Sequence, residues 1–252
     1  MSRSAPLQDL TPRPHGQTGP TPRLAVELAT GFAALLAASI LAGQWLGASL
    51  AVSLVAMTTY LVLAGLVLHR LPNHRRGLGW ANRITLARGA LVALLTGAVT
   101  DPDLLSTWSG PFAGLALVAL LLDGLDGWVA RRSGTTSPFG ARFDMELDAF
   151  FILVLCLALM MLGKVGPWVL AIGTLRYAFV LAGQGLRWLT APLPESRRRK
   201  AICVWQVATL MVCLLPAVDA ATAGWLAATA LAGLIGSFAT DIAWLYRRAG
   251  RR

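Results

Sequence analysis

The stretch Asp123-Gly-Leu-Asp126-Gly127-Trp-Val-Ala130-Arg131-Arg132-Ser-Gly-Thr-Thr-Ser-Pro138-Phe-Gly140-Ala-Arg142-Phe-Asp144-Met-Glu146-Leu-Asp148 decides how the rest of the chain is read. The protein has only twelve acidic residues, and five of them fall within these 26 positions. Both flanks are apolar enough to lie in a membrane, where an ionisable side chain is costly and marks a functional site. Asp123 and Asp126 are spaced i,i+3, and Asp144 and Asp148 i,i+4, so on helices each pair shares one face. Residues 133–138 read as a turn. The stretch therefore predicts a helical hairpin whose two arms bring four carboxylates towards one point.

Four converging carboxylates cannot all remain ionised without a cation. Oxygen donors without His or Cys nearby suit a hard divalent ion such as Mg²⁺, Mn²⁺ or Ca²⁺ rather than zinc. Gly127 lies one turn after Asp123 and Gly140 one turn before Asp144, which leaves a bare patch beside each pair. A glycine inside a helix costs roughly 1 kcal/mol, and close approach of a ligand is one reason to bear it. Arg131 and Arg132 stand at the same end and can grip phosphate. The competing reading, a helix end with solvated charges, leaves this concentration of acids unexplained.

The pattern Asp123-x2-Asp126-Gly127-x2-Ala130-Arg131-x8-Gly140-x3-Asp144-x3-Asp148 resembles, at every fixed position, the signature of the CDP-alcohol phosphotransferases. The resemblance covers roughly residues 80 to 247. It implies a core of six transmembrane helices, two divalent ions (Mg²⁺ or Mn²⁺) and a CDP-linked lipid donor. It implies that Asp123, Asp126 and Asp144 are chiefly metal ligands and that Asp148 is a base as well as a ligand. Gly127, Ala130, Arg131 and Gly140 would line the CDP pocket. The Asn82-x2-Thr85-x2-Arg88 spacing is similar to the opening of the family's first core helix, facing the nucleotide. A homodimer is the expectation from resemblance alone.

Composition agrees with a membrane location. The 252 residues are 56% hydrophobic and 13% charged, about half the charge of a soluble domain. The net charge of +10 is read as topology and not as nucleic-acid binding, because the basic residues lie between apolar spans. The three cysteines sit in apolar stretches without paired spacing, so neither disulfide nor zinc is indicated. His15, His69 and His74 are loop residues without a catalytic setting.

The apolar runs predict an all-α integral membrane protein with about eight spans, near 24–43, 47–68, 82–100, 111–130, 141–163, 165–187, 201–217 and 221–246. The expected organisation is a disordered tail over 1–22, two extra helices over 23–68, a basic interfacial segment over 69–81, a six-helix catalytic domain over 82–247 and a basic tail over 248–252. With this count 19 of the 22 basic residues fall on one side. The positive-inside rule then puts both termini and the acidic hairpin in the cytoplasm, at an inner membrane.

Arg88 and Arg176 lie within spans and each needs an anionic partner. Arg176, with Lys200 at the start of the seventh span, is the candidate acceptor-binding pair. Glu146, two residues from either aspartate, points to another helix face and is left outside the site. The implied reaction moves a phosphatidyl group from CDP-diacylglycerol to a small alcohol and releases CMP. Arg176 and the Arg197–Lys200 cluster favour a phosphorylated acceptor, and Lys200 and Gln206 resemble the start of that helix in phosphatidylglycerophosphate synthases, which implies glycerol 3-phosphate as acceptor. Serine, inositol or its phosphate, choline and ethanolamine remain alternatives. Ion-coupled transporters also carry intramembrane Asp and Arg, but nearer the midplane and often with inverted repeats. A catalytically retired scaffold is disfavoured by the presence of all four aspartates.

Overall fold

The structure is a computed structural model that describes residues 22–70, 80–133, 138–194 and 196–250. The expected N-terminal tail lies outside the described residues except at position 22. So do residues 71–79 of the basic segment, the hairpin turn at 134–137 and the last two residues of the C-terminal tail. The described residues are almost entirely helical: α1 (Pro22–Leu46), α2 (Leu50–Arg70), α3 (Trp80–Ala98), α4 (Pro102–Thr107), α5 (Ser109–Ser133), α6 (Pro138–Met161), α7 (Leu170–Gly185), α8 (Arg197–Leu214) and α9 (Ala220–Ala249).

Local chemistry sets these boundaries. Pro22, Pro102 and Pro138 stand at the first helical position of α1, α4 and α6, where a missing N–H costs nothing. Asp101 and Asp219 cap α4 and α9, each accepting backbone N–H bonds through its carboxylate. Gly47 (φ +71°) and Gly163 (φ +66°) follow α1 and α6 in the left-handed region that favours glycine. Gly47 therefore supplies the break between the first two apolar runs.

The eight long helices coincide with the eight apolar runs, and two details differ from the sequence reading. Residues 102–107 form the extra short helix α4, nucleated by the Asp101-Pro102 start. The run expected over 165–187 is broken into a 3-10 turn at Pro167–Val169, the 16-residue α7 and a second 3-10 turn at Arg187–Thr190. Alone, α7 reaches only about 24 Å. Among the described residues, α1 from Leu24, α2 and α9 are long and apolar enough to cross a membrane by length and composition. Within α5, Ser109–Leu125 is a shorter apolar stretch.

Two apolar cores meet on α3. The larger joins α3 and α5–α9 through Val92, Leu95, Ala116, Leu155, Ile172, Leu210 and Ala227. The smaller joins α1, α2 and α3 through Leu24, Ala56, Tyr60 and Ala93. Small residues let backbones touch. A Cβ on Gly97 would lie 2.3 Å from the Val52 carbonyl oxygen of α2, and one on Gly173 2.8 Å from the Leu153 Cα of α6.

Polar ties fasten the end of the bundle opposite the acidic hairpin. Asp101 accepts from the Leu104 amide (3.1 Å) and from the Ser49 amide (3.2 Å), which joins the α1–α2 turn to the α3–α4 turn. Lys164 donates through Nζ to the carbonyls of Cys213 (3.0 Å) and Leu215 (2.6 Å) at the end of α8. A cation there also complements the helix dipole. These amide donors hold the Asp101 carboxyl below the usual carboxylate range. Because its folded pKa is depressed, Asp101 adds stability above the ordinary carboxylate pKa, and that stability fades as pH falls below about 4. Asp101→Ala should cost about 0.5–2 kcal/mol at neutral pH, with the gap to wild type closing in acid. Thermal unfolding in detergent against pH measures both.

Candidate active site

Three helices bring charge to one point. Asp123 lies near the end of α5, Asp144 and Asp148 near the start of α6, and Arg88 halfway along α3. The i,i+4 spacing puts Asp144 and Asp148 on one face of α6, turned towards α5. One ligand oxygen from each of Asp123, Asp144 and Asp148 lies within 4.8 Å of the others. Arg88 sits among them. Its guanidinium donates through Nη1 to Asp123 Oδ1 and to Asp144 Oδ1 (2.7 Å), and through Nη2 to Asp148 Oδ1 (2.6 Å). It is only 2% exposed, while the carboxylates are partly open. The anionic partner that Arg88 requires is thus the acid cluster itself.

Most other expected site residues lie on the same three helices. Thr85, one turn before Arg88 on α3, is buried, and Gly140 lies on the first turn of α6. Asp126, Gly127, Ala130 and Arg131 lie on the helical backbone of α5, and Asn82 on that of α3; their side chains lie outside the described residues. Outside the cluster, Arg83 of α3 donates to Glu27 Oε1 of α1 through Nε (2.9 Å) and Nη2 (2.6 Å). The helix that carries Arg88 is therefore gripped at the same end by α1.

A cavity of about 330 Å³ opens beside the cluster between α6, α7, α8 and α9. Its lining is mostly apolar, with Arg176, Arg199, Gln206, Ser237 and Asp241 as the polar groups. Ala149, next to Asp148, also lines it. Arg176 pairs with Glu146 (2.6 Å), the acid that sequence reasoning had set aside, and its buried Nε has no partner. Asp241 of α9 receives Arg198 (2.5 Å) and Arg199 (3.4 Å). Lys200 is exposed, and the cation that α8 offers to the cavity is Arg199. Asp241 was detectable as the one acid inside the last apolar run. Glu146 was missed because spacing fixes its face on α6 but not the arginine that α7 brings to that face.

The donors fit a metal. Three carboxylates from two helices, with oxygen as the only donor element, are what a hard divalent cation takes.

The described helices, three of them apolar enough to cross a membrane, and a carboxylate cluster that could hold a metal ion define an all-helical membrane protein. The sequence model of the CDP-alcohol phosphatidyltransferase family matches residues 78–236, most of the chain, and the protein belongs to that family. The match begins just before α3 and ends within α9, so α1 and α2 precede it. The family is one of transferases, typically dependent on a divalent metal. No solved structure matches the chain.

The two cavity pairs differ in burial. Asp241 is 13% exposed and serves two arginines, whereas Glu146 is 57% exposed and serves one. Asp241→Asn should lower stability by about 1–3 kcal/mol, and Glu146→Gln by less than about 1 kcal/mol. Parallel thermal unfolding of the two variants checks the order.

Proposed function

We propose that the protein transfers a phosphatidyl group from CDP-diacylglycerol to the hydroxyl of a small polar alcohol, releasing CMP, in phospholipid synthesis. One observation carries this reading: family-signature aspartates from two helices meet within ion-sharing distance. Asp123, Asp126, Asp144 and Asp148 would hold two divalent ions, Mg²⁺ or Mn²⁺. When bound, these ions supply charge neutralisation for the pyrophosphate and for the attacking and leaving oxygens of an in-line displacement.

The chain's own groups do the rest. Asp148 takes the proton of the acceptor hydroxyl. The new bond forms between that oxygen and the phosphorus bearing diacylglycerol, the pyrophosphate P–O bond breaks, and CMP leaves. Gly127, Ala130, Arg131 and Gly140, with Asn82, Thr85 and Arg88, line the CDP and phosphate side. Arg176 and Arg199 orient the acceptor in the adjoining cavity, with Lys200 drawing anions to its mouth. Two arginines on one cavity favour a phosphorylated acceptor, and glycerol 3-phosphate is the choice we make among the alcohols.

The reading includes eight membrane crossings in an inner membrane, with both termini and the site cytoplasmic, and a homodimer as the working assembly. The distribution of basic residues supports this orientation. The polar ties of the described structure support alternating helix directions, since the α1–α2, α3–α4, α6–α7 and α8–α9 turns gather at the end away from the acids.

CMP release from CDP-diacylglycerol by purified protein, followed across a panel of acceptor alcohols, tests the reading. We expect release that requires Mg²⁺ and glycerol 3-phosphate and drops at least 10²-fold in Asp148→Asn, in line with loss of a general base. Release with serine, inositol, inositol phosphate or choline instead would replace the acceptor but keep the chemistry. No release and no binding of CDP-linked lipid would reject it.

A further inference from the structure

We propose that Arg88 is the internal counter-cation of the acid cluster and competes with divalent metal for its carboxylates. The inference rests on the metal-site reading above and concerns a role for Arg88 beyond contact with the donor phosphate. One guanidinium reaches an oxygen of each of the three carboxylates that lie close enough to share an ion. The planar fork of arginine suits this bridging role, since its several N–H groups can serve separate acceptors at once. A lysine would act as a point charge with a shorter reach.

The surroundings hold Arg88 in place. Its side chain is almost fully buried in α3, and α3 is wedged between α2 and α5, with Gly97 in backbone contact with α2. The Glu27–Arg83 pair fixes the same helix about a turn and a half away. A buried guanidinium without partners would be strongly unfavourable, and so would three carboxylates at this spacing without a cation. Each satisfies the other, and the pairing ties α3 to both arms of the acidic hairpin.

The charges do not balance, and this imbalance gives the arrangement its consequence. Among the described side chains one guanidinium faces three carboxylates, an excess of acid that would attract a divalent ion. Any ion that enters must take oxygens from Arg88 or accept its repulsion at close range. Arg88 therefore lowers metal affinity below what the acids alone would provide, while keeping α5 and α6 assembled before metal arrives. On yielding the carboxylates, the guanidinium remains at the site's edge, free to meet the donor's phosphates.

Mn²⁺ titration by electron paramagnetic resonance on the full-length protein in detergent, paired with thermal unfolding in EDTA, tests the proposal. Wild type, Arg88→Gln, Arg88→Lys and Asp148→Asn are compared. Arg88→Gln should bind Mn²⁺ at least about tenfold more tightly, unfold at lower temperature in EDTA, and gain more from Mn²⁺ than wild type. Arg88→Lys should fall between the two. Should Arg88→Gln fail to fold, tighter Mn²⁺ binding by Arg88→Lys than by wild type carries the test. Unchanged or weaker Mn²⁺ affinity in the Arg88 variants overturns the counter-cation role, while wild-type binding that Asp148→Asn weakens leaves the metal site standing. Wild type that binds no Mn²⁺ through Asp148 overturns both. A merely structural role would lower the unfolding temperature without tightening metal binding.

Discussion

A single buried guanidinium among three carboxylates is the contact on which this protein's arrangement depends. Asp123, Asp144 and Asp148 repel one another at their observed spacing, and Arg88 is costly to bury alone. Satisfying both requires α3, α5 and α6 to converge at one end of the bundle. The apolar contacts of the larger core then fill the remainder of these helices away from the charged end.

Much of the site was legible because the aspartates announce themselves twice, by spacing and by apolar surroundings. Their placement on two adjacent helices followed from the turn residues between them. The eight long helices were also readable, since each coincides with an apolar run. What the sequence could not specify was partnership across helices. Arg88 was recognised as needing an anion, but its choice of the aspartates depends on how α3 packs against α5 and α6. Glu146 was set aside for the same reason, although α7 brings Arg176 to it. The breaks around α7 had sequence signals, Gly166-Pro167 before it and Arg187 after it, but a reading by apolar runs passes over such short interruptions.

The two ends of the bundle are held by different chemistry. At the acidic end, helices are joined by charged pairs: Glu27 with Arg83, Arg88 with the aspartates, Glu146 with Arg176, and Asp241 with Arg198 and Arg199. At the opposite end, Asp101 and Lys164 bind backbone amides and carbonyls of neighbouring turns. This contrast gives α1 and α2 a physical role although they precede the family match. They bury one side of α3 through the smaller core and fix its charged end through Glu27. The helix that delivers Arg88 is thus clamped from both faces.

On the proposed reading, the converging carboxylates form a metal centre that receives a CDP-linked donor. Anomalous diffraction from crystals grown with Mn²⁺ and CDP would test it most directly. Mn²⁺ peaks should appear in contact with Asp123, Asp144 and Asp148 and with the CDP pyrophosphate beside them. Mn²⁺ bound elsewhere, or CDP bound away from these carboxylates, would contradict it.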